Sequence, residues 1–127
     1  MNFNPLSFKN IALKISSSLR SNKNIPLDEE EKEAWIRTGI SRSYYAAFLI
    51  AREKLSLKNY TKPDIHKLVI EKLSNIDPII KDKLSELRRK RNYADYNIKI
   101  SMKINDLIWS LATAQHIIKQ LIKLKKS

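Results

Sequence analysis

Residues 86–98 read Glu-Leu-Arg-Arg-Lys-Arg-Asn-Tyr-Ala-Asp-Tyr-Asn-Ile, and within them a charged side chain falls where a helix wants an apolar one. Counted at 100° per residue from Ile80, the side chains of Leu84, Leu87, Ala94 and Ile98 lie within about 40° of it, and Arg91 lands at about 20°. This spacing predicts a helix with Arg91 inside its apolar stripe. A buried, unpaired guanidinium is costly, so Arg91 needs either a partner or a cavity shared with another chain. Asp95, one turn on at about 60°, is the partner the spacing offers. Arg88 at about 80°, Asn92 at about 120° and Tyr96 at about 160° continue a polar arc on that side of Arg91. Such an arc suits a cleft wall. It equally suits a structural network in which Asp95 neutralises Arg91 and Arg88 at a dimer interface.

The same helical period runs outward through the chain. With 127 residues, one glycine and no cysteine, the sequence predicts a single all-α domain, an up-and-down bundle of four or five helices without disulfides or thiolate metal sites. A first helix is expected from about Pro5 to Leu19, followed by a loop over residues 21–26. Four acids, Asp28 to Glu31, open a long central helix that reaches about Leu57, where their charge complements the macrodipole. Asp64 and Pro63 open a short third helix to about Leu73. Asp77 and Pro78 open the fourth, and the fifth runs from about Asn105 to Leu124. No apolar run approaches a membrane span, and the start Met-Asn-Phe-Asn-Pro lacks the order of a secretion signal, so a soluble cytoplasmic protein is expected.

The net charge of +12 is unevenly spread. Residues 1–80 carry 13 basic and 9 acidic side chains, whereas residues 81–127 carry 12 and 4. A field of that sign favours a polyanion or an acidic protein partner. Arg88, Arg89, Lys90 and Arg91 are the obvious phosphate contacts, with Arg37 and Tyr45 of the central helix beside them. On that helix Ile36, Ile40, Tyr44, Ala47, Ala51 and Leu55 form a broad apolar face, and Arg37, Ser41, Tyr45 and Arg52 form an adjoining one. Tyr44 reads as a core aromatic, whereas Tyr45, beside two arginines, suits core packing and site lining about equally. Gly39, Ser43, Ala46, Ala47 and Ala51 let neighbouring helices approach closely.

Ser41-Arg42-Ser43-Tyr44-Tyr45-Ala46-Ala47-Phe48, followed after a histidine-bearing helix by Arg91-Asn92-Tyr93-Ala94-Asp95-Tyr96, resembles the HEPN superfamily of small helical bundles. The likeness is to its single-domain prokaryotic branch and extends over nearly the whole chain. It implies a dimer in which the arginine motifs of two copies share a cleft. Active members are metal-independent ribonucleases with an arginine followed, after four to six residues, by histidine. Many are encoded beside a minimal nucleotidyltransferase as a toxin–antitoxin pair.

Carried over by position, the resemblance makes Arg91 the motif arginine and Asn92 the polar residue after it. The histidine positions hold Tyr96, Asn97 and Ile98. A tyrosine is a poor base at neutral pH unless nearby cations favour its anion. His66 stands where the branch carries another histidine, although a helix-surface or intrahelical hydrogen-bonding role suits it better than a site role. His116 lies on the flank of the last helix and is read as structural or merely exposed. The partner enzyme can adenylylate a tyrosine two residues beyond the motif histidine. That position is Ile98 here, so Tyr96 or Tyr93 would have to serve.

Three function classes therefore compete. A ribonuclease would use Arg91 with Asn92, Tyr96 or His66. A binding module would hold RNA or nucleotide phosphate without cleaving it, and an interaction protein would pair with itself and an acidic nucleotidyltransferase. There is no phosphate-cradling glycine loop, zinc-type histidine pair or serine with an adjacent base, and no cofactor or metal is expected. The Lys119 to Lys126 tail reads as a solvated last turn with cations at a helix C-terminus.

Overall fold

The structure, a computed structural model, describes residues 3–21 and 27–124. These form five helices and no strand: α1 Leu6–Ser21, α2 Glu29–Lys54, α3 Ile65–Ile76, α4 Pro78–Tyr96 and α5 Ile104–Ile122. The expected loop after Ser21 and the end of the lysine tail, Lys125 and Lys126, lie outside the described residues.

Local chemistry sets most of the boundaries. Asp28 caps α2, its Oδ1 accepting from the Glu31 amide at 2.8 Å, and Glu29 to Glu31 follow at the positive end of the helix. Asp77 caps α4 in the same way, accepting from the Ile80 amide at 3.1 Å, with Pro78 in the first turn. Asp64 precedes α3 without capping it, because its carboxylate is taken by the Tyr60 hydroxyl at 2.5 Å. The carboxylate of Asp106 reaches back to the Lys103 amide at 2.8 Å and starts α5.

Two arginines of α2 set boundaries that no local signal marks. Arg52 donates to the carbonyls of Leu57, Lys58 and Tyr60, closing a turn in which Ser56 takes φ 60° and ending α2 at Lys54, short of the expected Leu57. Arg37 donates from Nη1 to the carbonyls of Tyr93, Ala94 and Asn97, each at 3.0 Å, and from Nη2 to that of Ile100. It thereby takes up carbonyls that the end of a helix leaves without partners. The α4 helix stops at Tyr96, so Ile98, expected in its apolar stripe, instead stands 91% exposed.

The central helix α2 packs against α1, α4 and α5, while α3 lies mainly on α4. Pairings of Arg37 with Ala94, Ser41 with Asp95 and Tyr44 with Arg91 show that α2 and α4 run antiparallel. Their shared interior holds two apolar clusters. The larger contains Tyr44, Phe48, Leu73, Leu84, Leu87, Ile117 and Leu121, and the smaller contains Ile15, Ile36, Ile40, Ala94, Met102 and Leu107. On α4, Leu87 belongs to the first cluster and Ala94 to the second, so Arg91 stands at the seam between them.

Gly39 brings α2 onto α5. A Cβ built there would meet Leu107 Cδ1 at 2.6 Å and Cδ2 at 3.2 Å, and Leu107 is fully buried. Gly39→Ala gains about 1 kcal/mol of helix propensity, yet displacing a core leucine costs about 1–3 kcal/mol. The expected outcome in urea denaturation is a net loss of about 1 kcal/mol, larger for Gly39→Val.

Candidate functional site

The seam occupied by Arg91 is where α2, α3 and α4 meet. Only 6% of Arg91 is exposed, as its place in the stripe requires. Its guanidinium lies over the faces of two rings of α2, 5.0 Å from the Tyr44 centroid and 5.3 Å from that of Tyr45, an arrangement in which the ring quadrupoles attract the cation. Asp95 is the ion-pair partner the spacing predicts, but Nη1 and Oδ2 are 3.7 Å apart, longer than a charge-assisted hydrogen bond. The same Oδ2 accepts from Ser41 Oγ at 3.2 Å. Nε of Arg91 and Nε of Arg88, one turn earlier, are both buried with no hydrogen-bond partner. Each is a buried cationic donor left without an acceptor, a costly arrangement.

His66 joins them from α3. Its Nδ1 is 2.6 Å from the Tyr44 hydroxyl, and its ring stacks on Phe48 with centroids 4.1 Å apart and planes at 17°. Tyr45 meets it edge-on at 6.3 Å. Burial pushes the His66 pKa down to about 4, helped by the positive charges of Arg88, Arg91 and Arg52. Burial also raises the Tyr44 phenol well above its ordinary value, against the pull of the same two α4 arginines. At neutral pH both groups are therefore uncharged. Two tautomers satisfy their bond. If Tyr44 donates to Nδ1, the imidazole carries its proton on Nε2 and offers a donor there; if Nδ1–H donates to Tyr44, Nε2 is left as a base.

The depressed histidine has a consequence for stability. Between the ordinary value of 6.5 and the folded value of about 4, the unfolded chain binds the proton more readily. Stability contributed by neutral His66 is therefore full above pH 6.5 and lost as the pH falls toward 4. Thermal melts should show a falling Tm across that window. His66→Gln should flatten that part of the profile, and the His66 ring protons should titrate near pH 4 in NMR.

The other predicted residues separate into distinct places. Lys90 points toward α5, pairing with Asp106 at 2.9 Å and lying 5.2 Å from the Trp109 ring centroid, on the opposite side of the stripe from Arg88. Arg89 and Asn92 are exposed on α4 outside the buried cluster. Tyr96 is 74% exposed and Tyr93 40%, and both line a shallow groove with Asn97, Ile98 and Lys99. Among the described residues neither the Tyr96 nor the Asn92 side chain hydrogen-bonds to Arg91 or His66. Arg37 is committed to Glu33 at 2.8 Å and to the carbonyls ending α4, so it fastens a helix and has no donor left for phosphate. His116 is exposed.

Sequence reasoning missed the roles of Tyr44, Phe48 and Ser41. Tyr44 is core, as expected, but its hydroxyl is also the polar partner of His66. A signal was available: Ser41, Tyr44, Tyr45 and Phe48 follow the i, i+3, i+4, i+7 spacing of one helix face. Among the described residues no group of three or more His, Cys, Asp or Glu side chains could hold a metal ion, and no helix is long and apolar enough to cross a membrane.

No protein-family profile matches this sequence, and no solved structure matches it either. Over 91 residues the chain is 38% identical to an uncharacterized protein of Methanocaldococcus jannaschii, a match covering 69% of this chain and 49% of the relative. The chain thus spans about half the length of the curated relative it matches.

Proposed function

We propose that this chain is a HEPN-type module that works in the cytoplasm as a homodimer and binds the phosphates of RNA or a nucleotide in a cleft built on Arg91. In this reading it acts with a minimal nucleotidyltransferase in a toxin–antitoxin-like or defence pair. The observation that carries the reading is the pair of buried, partnerless Nε donors on Arg88 and Arg91 beside an uncharged histidine. A structural ion pair would consume those donors, whereas an incoming phosphate supplies the acceptors they lack. The exposed aromatic and aliphatic side chains at the end of α4, Tyr93, Tyr96 and Ile98, support an interface next to the cleft. Tyr96 is the more accessible acceptor for an adenylyl group, and intact-mass analysis of the co-expressed pair tests that assignment.

A second reading, metal-independent ribonuclease, draws support from His66. The motif positions after Arg91 lack a histidine, yet the fold brings one to the ring that Arg91 covers. In the tautomer that leaves Nε2 free, His66 would take the ribose hydroxyl proton while Arg91 and Arg88 stabilise charge on the phosphoryl oxygens.

The test is incubation of the purified dimer with labelled single-stranded RNA in EDTA, comparing wild type with Arg91→Ala and His66→Gln. Binding that weakens steeply with salt, needs Arg91 and leaves the RNA intact supports the binding module. Cleavage abolished by both substitutions supports the ribonuclease. Neither binding nor cleavage by a folded dimer overturns both readings.

A further inference from the structure

We infer that Asp95, tethered by Ser41, is a built-in competitor for Arg91 and sets how tightly the cleft takes a phosphate group; this rests on the phosphate-binding reading above. An Asp and an Arg one helical turn apart normally close to hydrogen-bonding distance when one of them is buried. Here they stop at 3.7 Å, and the oxygen nearest Arg91 also accepts from the hydroxyl of Ser41 on the facing helix. Ser41 is itself buried, so its hydroxyl is a fixed anchor.

Exposure gives the arrangement a direction. The Arg91 side chain is 7% exposed and that of Asp95 26%, which places the carboxylate at the rim, between the buried cation and water. Of the two, Asp95 is the member of the pair that an anion from solvent can approach more readily. Phosphate, with more charge and more acceptor oxygens than a carboxylate, can displace it from Arg91, whose Nε is already free. Asp95 thereby lowers the cost of keeping Arg91 charged in the absence of a ligand and lowers affinity for phosphate. Ser41 holds that competition at an intermediate strength.

The two residues consequently have opposite signs. Asp95→Asn removes the competing charge while keeping an acceptor for Ser41, and affinity should rise by about tenfold. Ser41→Ala frees Asp95 to close on Arg91, and affinity should fall by about three- to fivefold. Glu86→Gln, an exposed position on the same helix, removes equal charge and should leave affinity within about twofold, separating a local effect from net charge.

The experiment is calorimetric titration of the full chain with pyrophosphate at low salt, for wild type, these three variants and Arg91→Ala, each first shown to be folded by thermal melting. Tighter binding by Asp95→Asn together with weaker binding by Ser41→Ala is the expected result. Arg91-dependent wild-type binding with Asp95→Asn unchanged or weaker overturns the competitor role and leaves Asp95 a structural partner. If Asp95→Asn does not fold, Ser41→Ala carries the test, and binding that is unchanged or tighter in it overturns the proposal. Absence of wild-type binding, or binding that survives Arg91→Ala, overturns the phosphate-binding reading and this inference with it.

Discussion

Arg91→Met should abolish phosphate binding while leaving the fold about as stable as before. Methionine has a similar reach, fills the seam between the two apolar clusters and makes favourable sulfur contacts with the faces of Tyr44 and Tyr45. It also removes a buried cation whose Nε has no partner and whose carboxylate lies at 3.7 Å. Replacing a whole buried pair by apolar side chains is often neutral or stabilising, whereas removing one partner is costly when the other is left buried; here the partner left behind, Asp95, is partly exposed, so the expected change stays within about 1 kcal/mol. Asp95 keeps Ser41 as its donor and sits near enough to solvent to tolerate the loss. Loss of two or more charge-assisted hydrogen bonds to phosphate, by contrast, should weaken binding at least about 30-fold. Arg91→Lys should restore charge but little affinity, because an ammonium cannot replace the planar fork. Chemical denaturation and a binding titration on the same preparations check both halves. A stability loss above about 1 kcal/mol in Arg91→Met would mean that the arginine is held for architecture.

Arg37→Ala should be among the most destabilising single changes in the chain, although the sequence reads Arg37 as a phosphate contact. Its guanidinium satisfies carbonyls of Tyr93, Ala94, Asn97 and Ile100 and also pairs with Glu33. That pairing holds the Glu33 carboxyl below its usual value, the hydrogen bond from Arg37 being the largest cause. Truncation leaves the part-buried carbonyls of Ala94 and Asn97 without a donor and breaks the pair with Glu33, although the Tyr93 carbonyl keeps the Asn97 amide; the expected loss is about 3 kcal/mol, or roughly 10 °C in Tm. Arg37→Lys should recover less than half of it, since one ammonium cannot span carbonyls on both sides of the helix end. Hydrogen exchange should localise the change to residues 97–103. A variant whose stability stays within about 0.5 kcal/mol of wild type would contradict the clamp.

The contrast between these arginines explains what was legible in the sequence. Arg91 could be found because burial on a helix is periodic, and a charge on the wrong phase stands out against Leu84, Leu87 and Ala94. Its partner Asp95 follows from the same count. Arg37 could not be recognised, because backbone carbonyls carry no side-chain signature and these belong to residues at least 56 positions away. The misplacement of Ile98 has the same origin: the end of α4 is fixed from another helix. Lys90 reads with its basic neighbours as a phosphate contact by composition, yet 100° steps put it at about −80°, on the side where Asp106 and Trp109 lie. His66 was placed on its helix correctly, but its position beside Tyr44 depends on a turn closed by Arg52 around left-handed Ser56, which no periodicity encodes.

The central claim is that Arg88 and Arg91 keep Nε donors in reserve for a phosphate ligand. Arginine Nε–H resonances in a ¹⁵N-labelled sample, followed while a short single-stranded RNA is added in EDTA, report on those donors one by one. The account predicts saturable downfield shifts of the Arg88 and Arg91 signals together, while those of Arg37 and Arg52, already committed to Glu33 and the Leu57 carbonyl, stay in place. Shifts spread evenly over all arginines, or confined to exposed Arg89, would contradict it and reduce the basic helix to a diffuse electrostatic surface.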